Sequence, residues 1–152
     1  MVARGMYFEE FEIGTEVLSP GRTITETDVV NFAGLSGDYT QLHTDAEFAK
    51  GSLFGQRVAH GVLVLSIATG LTVRLGFIEG TALAFRELSW KFSQPVFFGD
   101  TIRVRARCKE LKPMPRLGGG LVIFDVWVIN QEEKVVQKGE WHMLIASKDG
   151  TS

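Results

Sequence analysis

Asp38 and His43 stand five positions apart in the run Gly37-Asp38-Tyr39-Thr40-Gln41-Leu42-His43-Thr44-Asp45, a stretch with the composition of a loop. A carboxylate and an imidazole placed this way can pass protons near neutral pH. Thr40 lies between them and offers a hydroxyl for local hydrogen bonds. Further on, Ala59-His60-Gly61 introduces a long apolar segment. If that segment is a helix, the Gly61 amide sits at its N-terminus, where N–H groups without intrahelical partners meet the positive end of the dipole. Such a donor can hold negative charge as it develops on an oxygen. Acid, base and N–H together suit chemistry on a carbonyl-activated substrate. Taken singly, each residue has a plainer reading. Asp38 fits a turn after Gly37, and His43 fits a satisfied structural histidine. His60 reads as a residue that packs or hydrogen-bonds around the loop, and His142, beside Trp141, as sheet surface or a subunit contact.

The elements around these residues can be read from caps and periodicity. Short strands are expected near Glu16–Leu18 and Arg22–Ile24. Thr25 followed by Asp28 forms a variant of the capping box, so a helix starts there and ends at Gly37. Asp45 caps a second, short helix carrying Phe48 and Ala49. From His60 to about Leu75 the sequence reads as one helix stopped at Gly76. Its apolar residues cover nearly the whole circumference, so it should be buried on most sides. The second half reads as strands. Ala82–Val96 shifts phase near Glu87, which suggests a bulge. Thr101–Leu111 alternates Ile102, Val104, Ala106 and Cys108 with Arg103, Arg105, Arg107 and Lys109, the pattern of a half-buried strand with a solvated basic face. Leu121–Ile129 and Val135–Ile145 form a hairpin turning at Asn130–Lys134. Lys112–Gly120, with its prolines and glycines, reads as a mobile connector. Trp90, Phe92, Phe97 and Phe98 read as core in preference to acyl-pocket lining, and Gly99-Asp100 as a turn. The order is helices first and then a long antiparallel meander, an α+β layout with one central helix.

Composition narrows the function. The chain has 152 residues, 45% hydrophobic and 22% charged, which is enough for one domain with a real core. A net charge of -2 argues against nucleic acid as a partner. The lone Cys108 excludes an intramolecular disulfide and a cysteine-rich metal site, and it reads as a small core residue. The apolar run Val62–Leu71 is too short to span a bilayer, which takes about 20 residues. With no signal-peptide pattern near the acidic Glu9, Glu10 and Glu12, the expected location is cytoplasmic.

With its elements in this order, the chain resembles the MaoC-like dehydratases, the (R)-specific enoyl-CoA hydratase group of the hotdog fold. In that family a Gly/Glu-Asp-x-Asn-Pro-x-His loop precedes a core helix that starts Ala/Val-His-Gly, and a Pro-Val-x-x-Gly-Asp turn follows. The matching stretches here are Ser36–Asp45, Val58–Leu71 and Gln94-Pro95-Val96-Phe97-Phe98-Gly99-Asp100. Thr40-Gln41 stands where the family has Asn-Pro. The resemblance implies a single hotdog domain over residues 1–152, a curved antiparallel β-sheet wrapped around a long central α-helix, usually paired as a homodimer. It implies hydration of a trans-2-enoyl-CoA thioester to an (R)-3-hydroxyacyl-CoA, or the reverse. Asp38 and His43 match the catalytic pair that activates water, and Gly61 matches the residue whose N–H meets the thioester oxygen. Thr40 and His60 are supporting residues. So is Thr69, which replaces a serine that in relatives helps orient the pair. No metal and no separate cofactor is expected, since coenzyme A arrives as part of the acyl-CoA substrate, and no nucleic acid or membrane partner is expected. The alternatives are an acyl-CoA thioesterase on the same fold and a non-catalytic acyl-CoA-binding subunit.

Overall fold

The computed structural model describes residues 5–149. After a 3₁₀ turn at Phe8–Glu10 come the short strands β1 (Glu16–Leu18) and β2 (Arg22–Thr23). Helices α1 (Glu26–Ser36), α2 (Gln41–Thr44), α3 (Ala46–Lys50) and α4 (Gly61–Val73) follow. Then come the long strands β3 (Ala82–Phe92), β4 (Thr101–Met114), β5 (Gly119–Ile129) and β6 (Val135–Ala146). The sheet is antiparallel throughout, in the order β1-β4-β5-β6-β3, with β2 also paired to β4. This is the α+β hotdog fold. Among the described residues, no helix is long and apolar enough to cross a membrane.

Local chemistry explains most boundaries. Thr25 Oγ1 accepts from the Asp28 amide at 3.2 Å, while Asp28 Oδ2 accepts from the Thr25 amide at 2.9 Å, closing the expected capping box. Arg22 adds a bidentate pair to the same carboxylate at 2.9 and 3.0 Å. Helix α1 ends where Gly37 takes a left-handed φ of 79°, a conformation glycine adopts without steric cost. Strand β3 shows a register shift between Phe85 and Glu87, the expected bulge. Strand β4 buries Ile102, Val104, Ala106 and Cys108, and turns its basic residues outward or half-outward, with Arg105 stacked over Trp127 at 4.5 Å. His142 is half-buried on the sheet, 3.5 Å from both Glu87 and Glu140.

Helix α4 buries Leu63, Val64, Ala68, Leu71 and Thr72 against the core formed by β4, β5 and β6. Each fully buried Leu or Val contributes roughly 1.5–3 kcal/mol. Contrary to the expectation of burial on most sides, Val62 and Val73 remain exposed, so this chain covers only part of the helix circumference. Strand β3 lies at the sheet edge and also exposes Leu83, Phe85, Leu88 and Phe92.

Three further expectations are corrected. Lys112–Gly120 is no mobile connector: β4 continues to Met114, Pro115–Leu117 makes one 3₁₀ turn, and β5 begins at Gly119. The glycines there serve close approach, because a Cβ on Gly119 would strike the Ile145 carbonyl and one on Gly120 the Phe8 ring. The acid/base segment is only partly loop, since α2 occupies its second half. Phe92 is 55% exposed rather than core.

Candidate active site

Asp38 is positioned by the end of α1. Its amide donates to Ser36 Oγ at 3.1 Å, and the Ser36 hydroxyl in turn donates to Phe32 O at 2.7 Å. Its exposed carboxylate folds back onto the following turn, where Oδ1 accepts from the Thr40 amide (3.1 Å) and the Thr40 hydroxyl (2.6 Å). The Thr40 hydroxyl is the main cause holding the Asp38 carboxyl below its ordinary pKa. The Thr40 amide and the neighbouring His60 and His43 imidazoles act in the same direction, and slight burial opposes them. Thr40 therefore ties the loop through its hydroxyl and backbone where the family motif has an asparagine. Thr44 adds to this by donating to the Tyr39 and Thr40 carbonyls. Asp38 Oδ2 makes no hydrogen bond among the described residues.

His43 lies in α2 and is oriented by its contact with Val58. The Val58 carbonyl can only accept, so the 2.7 Å contact places the proton on Nδ1 and leaves Nε2 as the free ring nitrogen. Val58 is itself fixed: its amide donates to Leu42 O, and Ala59 N donates to Val96 O. The strap at residues 58–60 is thus held on one side by α2 and on the other by the segment before β4.

His60 lies at the centre of the cluster, 3% exposed. Its Nε2–H donates to the Asp38 carbonyl at 2.9 Å, and its ring stacks on His43 with centroids 3.9 Å apart and planes 26° apart. Phe32 meets its other side edge-on at 4.9 Å. Nδ1 is buried with no partner among the described residues. His60 therefore ties the acid loop, the base and the helix start together, as a supporting residue would.

Gly61 is the first residue of α4, and His60 provides no side-chain cap. The first-turn amides are therefore left without side-chain partners at the positive end of a 13-residue helix. A Cβ on Gly61 would come within 2.6 Å of the Phe92 ring, so glycine is what lets this aromatic approach the helix start. Thr69, two turns along α4, donates to Ser66 O at 2.6 Å and makes no hydrogen bond to Asp38 or His43 in the single chain.

A cleft of about 470 Å³ opens beside these groups. Its walls are mainly apolar, from Leu42, Phe54, Val58, Val62, Phe92 and Val96, with His43, Gly61, Ser93, Gln94 and Gln137 adding polar atoms. Among the described residues, no lysine, arginine or carboxylate lines it. Asp38, His43 and His60 each bring one ligand-type atom within 4.8 Å of the others, and among the described residues they are the cluster that could surround a cation. The geometry suits a metal poorly, because nearly parallel stacked imidazoles aim their lone pairs side by side rather than at one point. The arrangement better suits one small polar molecule, such as water, held between acid and base at the mouth of an apolar cleft, with N–H donors at its wall.

Sequence reading missed Phe54 and Gln137 as parts of this cleft, and it favoured core over acyl-pocket lining for Phe92, which lines the cleft. Gln137 had a usable signal. It falls in phase with Trp141 and Met143 on the inward face of β6, where a polar side chain needs a partner.

Comparison with known proteins gives a consistent result. The family model described as MaoC like domain matches residues 9–118. Protein MaoC of Klebsiella aerogenes is 46% identical over 104 residues, covering 68% of this chain but only 31% of that longer protein. The 3-hydroxybutyryl-CoA dehydratase of Methylorubrum extorquens is 35% identical over 115 residues, covering 74% of this chain and 70% of its own length. A solved structure described as a monoamine oxidase regulatory protein from Archaeoglobus fulgius superimposes with a TM-score of 0.90 at 36% identity, covering 97% of this chain and 99% of that one.

Proposed function

Because the chain belongs to the MaoC-like domain family, we propose that it is a hydro-lyase that reversibly adds water to a trans-2-enoyl-CoA thioester to give an (R)-3-hydroxyacyl-CoA. The observation that carries this reading is the convergence of Asp38 and His43 beside an uncapped helix start at the wall of one cleft. Water would sit between the free Asp38 Oδ2 and His43 Nε2. As its oxygen bonds to C3 of the enoyl group, the pair takes up one proton and delivers one to C2, working as a coupled unit. Negative charge grows on the thioester oxygen during the addition, and the Gly61 N–H is the fixed donor that would stabilise it. The reaction is redox-neutral, so coenzyme A enters only as part of the substrate. Relatives whose names specify dehydration or (R)-specific hydration of such thioesters support both the reaction and the hand of the product. With no cation among the described residues of its wall, the cleft favours an uncharged acyl chain, because a second carboxylate would be desolvated without a partner.

We further propose that the working form is a homodimer. The edge position of β3 and its exposed Leu83, Phe85, Leu88 and Phe92, together with exposed Val62 of α4, support a second copy covering this face. One experiment separates the catalytic readings. The chain is incubated with crotonyl-CoA while enoyl absorbance and free thiol are followed. Loss of absorbance without thiol release is the expected result. Thiol release would indicate a thioesterase, and no change at all would leave a non-catalytic binding subunit or a different substrate.

A further inference from the structure

Gln137 is a side chain outside the acid/base loop with more than a packing role. It is 1% exposed in β6, paired with Phe92 on one side and Val128 on the other. Its Oε1 accepts from Trp90 Nε1 at 2.8 Å, and its Nε2 donates to the Gly61 carbonyl at 3.0 Å. The orientation of the amide is fixed by chemistry: an indole N–H can only donate and a peptide carbonyl can only accept, so flipping the amide would lose both bonds. A buried amide is costly unless satisfied, and here both partners belong to the cleft wall or its support.

We propose that Gln137 is a positioning residue that fixes the Gly61–Val62 peptide, and through the Gly61 backbone the N–H donor aimed at the thioester oxygen, with Trp90 locking the amide in place. The inference rests on the hydratase reading for its catalytic consequence and on geometry alone for the tether. Two features of Gly61 make a tether necessary. The first turn of a helix lacks hydrogen bonds on its amide side. Glycine, required here to admit the Phe92 ring, also removes the restriction a Cβ would place on φ and ψ. The Ala59 amide and the His60 ring hold the chain just before Gly61, through Val96 O and Asp38 O. Gln137 holds it just after, from the middle of the sheet. With both sides anchored, the Gly61 N–H keeps one direction while a substrate enters, which is what a preorganised donor requires.

The test compares the wild-type chain with Gln137→Met, Trp90→Phe and the double variant, by crotonyl-CoA kinetics and by amide hydrogen exchange. Exchange is followed at Val64 and Leu65, whose N–H groups close the first turn. In Gln137→Met, kcat should fall about tenfold with KM within about twofold, and exchange should speed up at those two amides rather than across the sheet. Trp90→Phe should give a smaller change of the same kind, and the double variant should be no worse than Gln137→Met, since both act on one link. Unchanged first-turn exchange with kcat within about twofold of wild type, or fully additive losses in the double variant, would overturn the proposal. If Gln137→Met does not fold, exchange in Trp90→Phe decides the matter in the same way. If the wild-type chain hydrates no enoyl thioester, the hydratase reading falls, and the exchange data alone still uphold or overturn the tether.

Discussion

Replacing Gly61 by proline removes one hydrogen-bond donor and little else, provided the backbone accepts the ring. The local structure indicates that it does. Gly61 is the first residue of α4, the position where proline is favoured because its missing N–H has no intrahelical acceptor. His60, which would precede the proline, has φ −57° and ψ 132°, the extended conformation that proline demands of its neighbour. The new Cβ would lie 2.6 Å from Phe92 Cδ1. Phe92 is near the end of β3 and half exposed, so its ring can turn aside. Gly61→Ala introduces the same Cβ and keeps the N–H, so the ratio of the two variants isolates the donor. Loss of a fixed donor to a developing oxyanion costs roughly 2.7–4 kcal/mol, or about 10²–10³-fold in kcat. Initial rates of enoyl absorbance loss with crotonyl-CoA, with thermal melts to confirm folding, should show Gly61→Pro slower than Gly61→Ala by that factor. Turnover in the proline variant within about threefold of the alanine variant would refute the assignment of Gly61.

Other outcomes follow from the same geometry. Asp38→Asn and His43→Ala should each lower kcat at least about a hundredfold, the scale of a general acid–base group, and leave the melting temperature near wild type, because Asp38 is exposed and His43 only half-buried; near-normal turnover in either would remove that residue from the mechanism. Thr40→Val deletes the hydroxyl that does most to hold the Asp38 carboxyl low. The carboxyl then protonates at higher pH, so the acid limb of kcat/KM should move upward, and an unmoved limb would show that Asp38 ionisation does not govern the rate. Light scattering on the purified chain should give twice the single-chain mass, and monomer alone at micromolar concentration would contradict the dimer drawn from β3 and α4.

What could be read from sequence was local. The Thr25/Asp28 capping box, the alternation of β4, the bulge after Phe85 and the turn at Asn130–Lys134 all depend on residues close in the chain, and the structure carries them as read. The acid, the base and the helix start were also visible as residue types, since each lies in a short motif. The reach of the tertiary contacts was not. The glycines at 119 and 120 look like flexibility, but they are small because Ile145 and Phe8 press against them from distant parts of the chain. Phe92 reads as core by its hydrophobicity, and only the close approach of α4 shows that it is a cleft wall. Gln137 meets Gly61 across 76 residues, and no local pattern encodes that pairing. Thr40-Gln41 suggests a looser loop than Asn-Pro, yet the Thr40 hydroxyl and amide bind Asp38 directly.

The most direct test of the central claim is to follow the fate of water oxygen. The chain is incubated with crotonyl-CoA in ¹⁸O-enriched water, and the products are resolved by chiral separation with mass spectrometry. The account predicts an intact coenzyme A thioester of 3-hydroxybutyrate, with the label on the C3 hydroxyl and the (R) configuration. Label in a free carboxylate with released coenzyme A, or recovery of crotonyl-CoA with no labelled 3-hydroxy product, would contradict it.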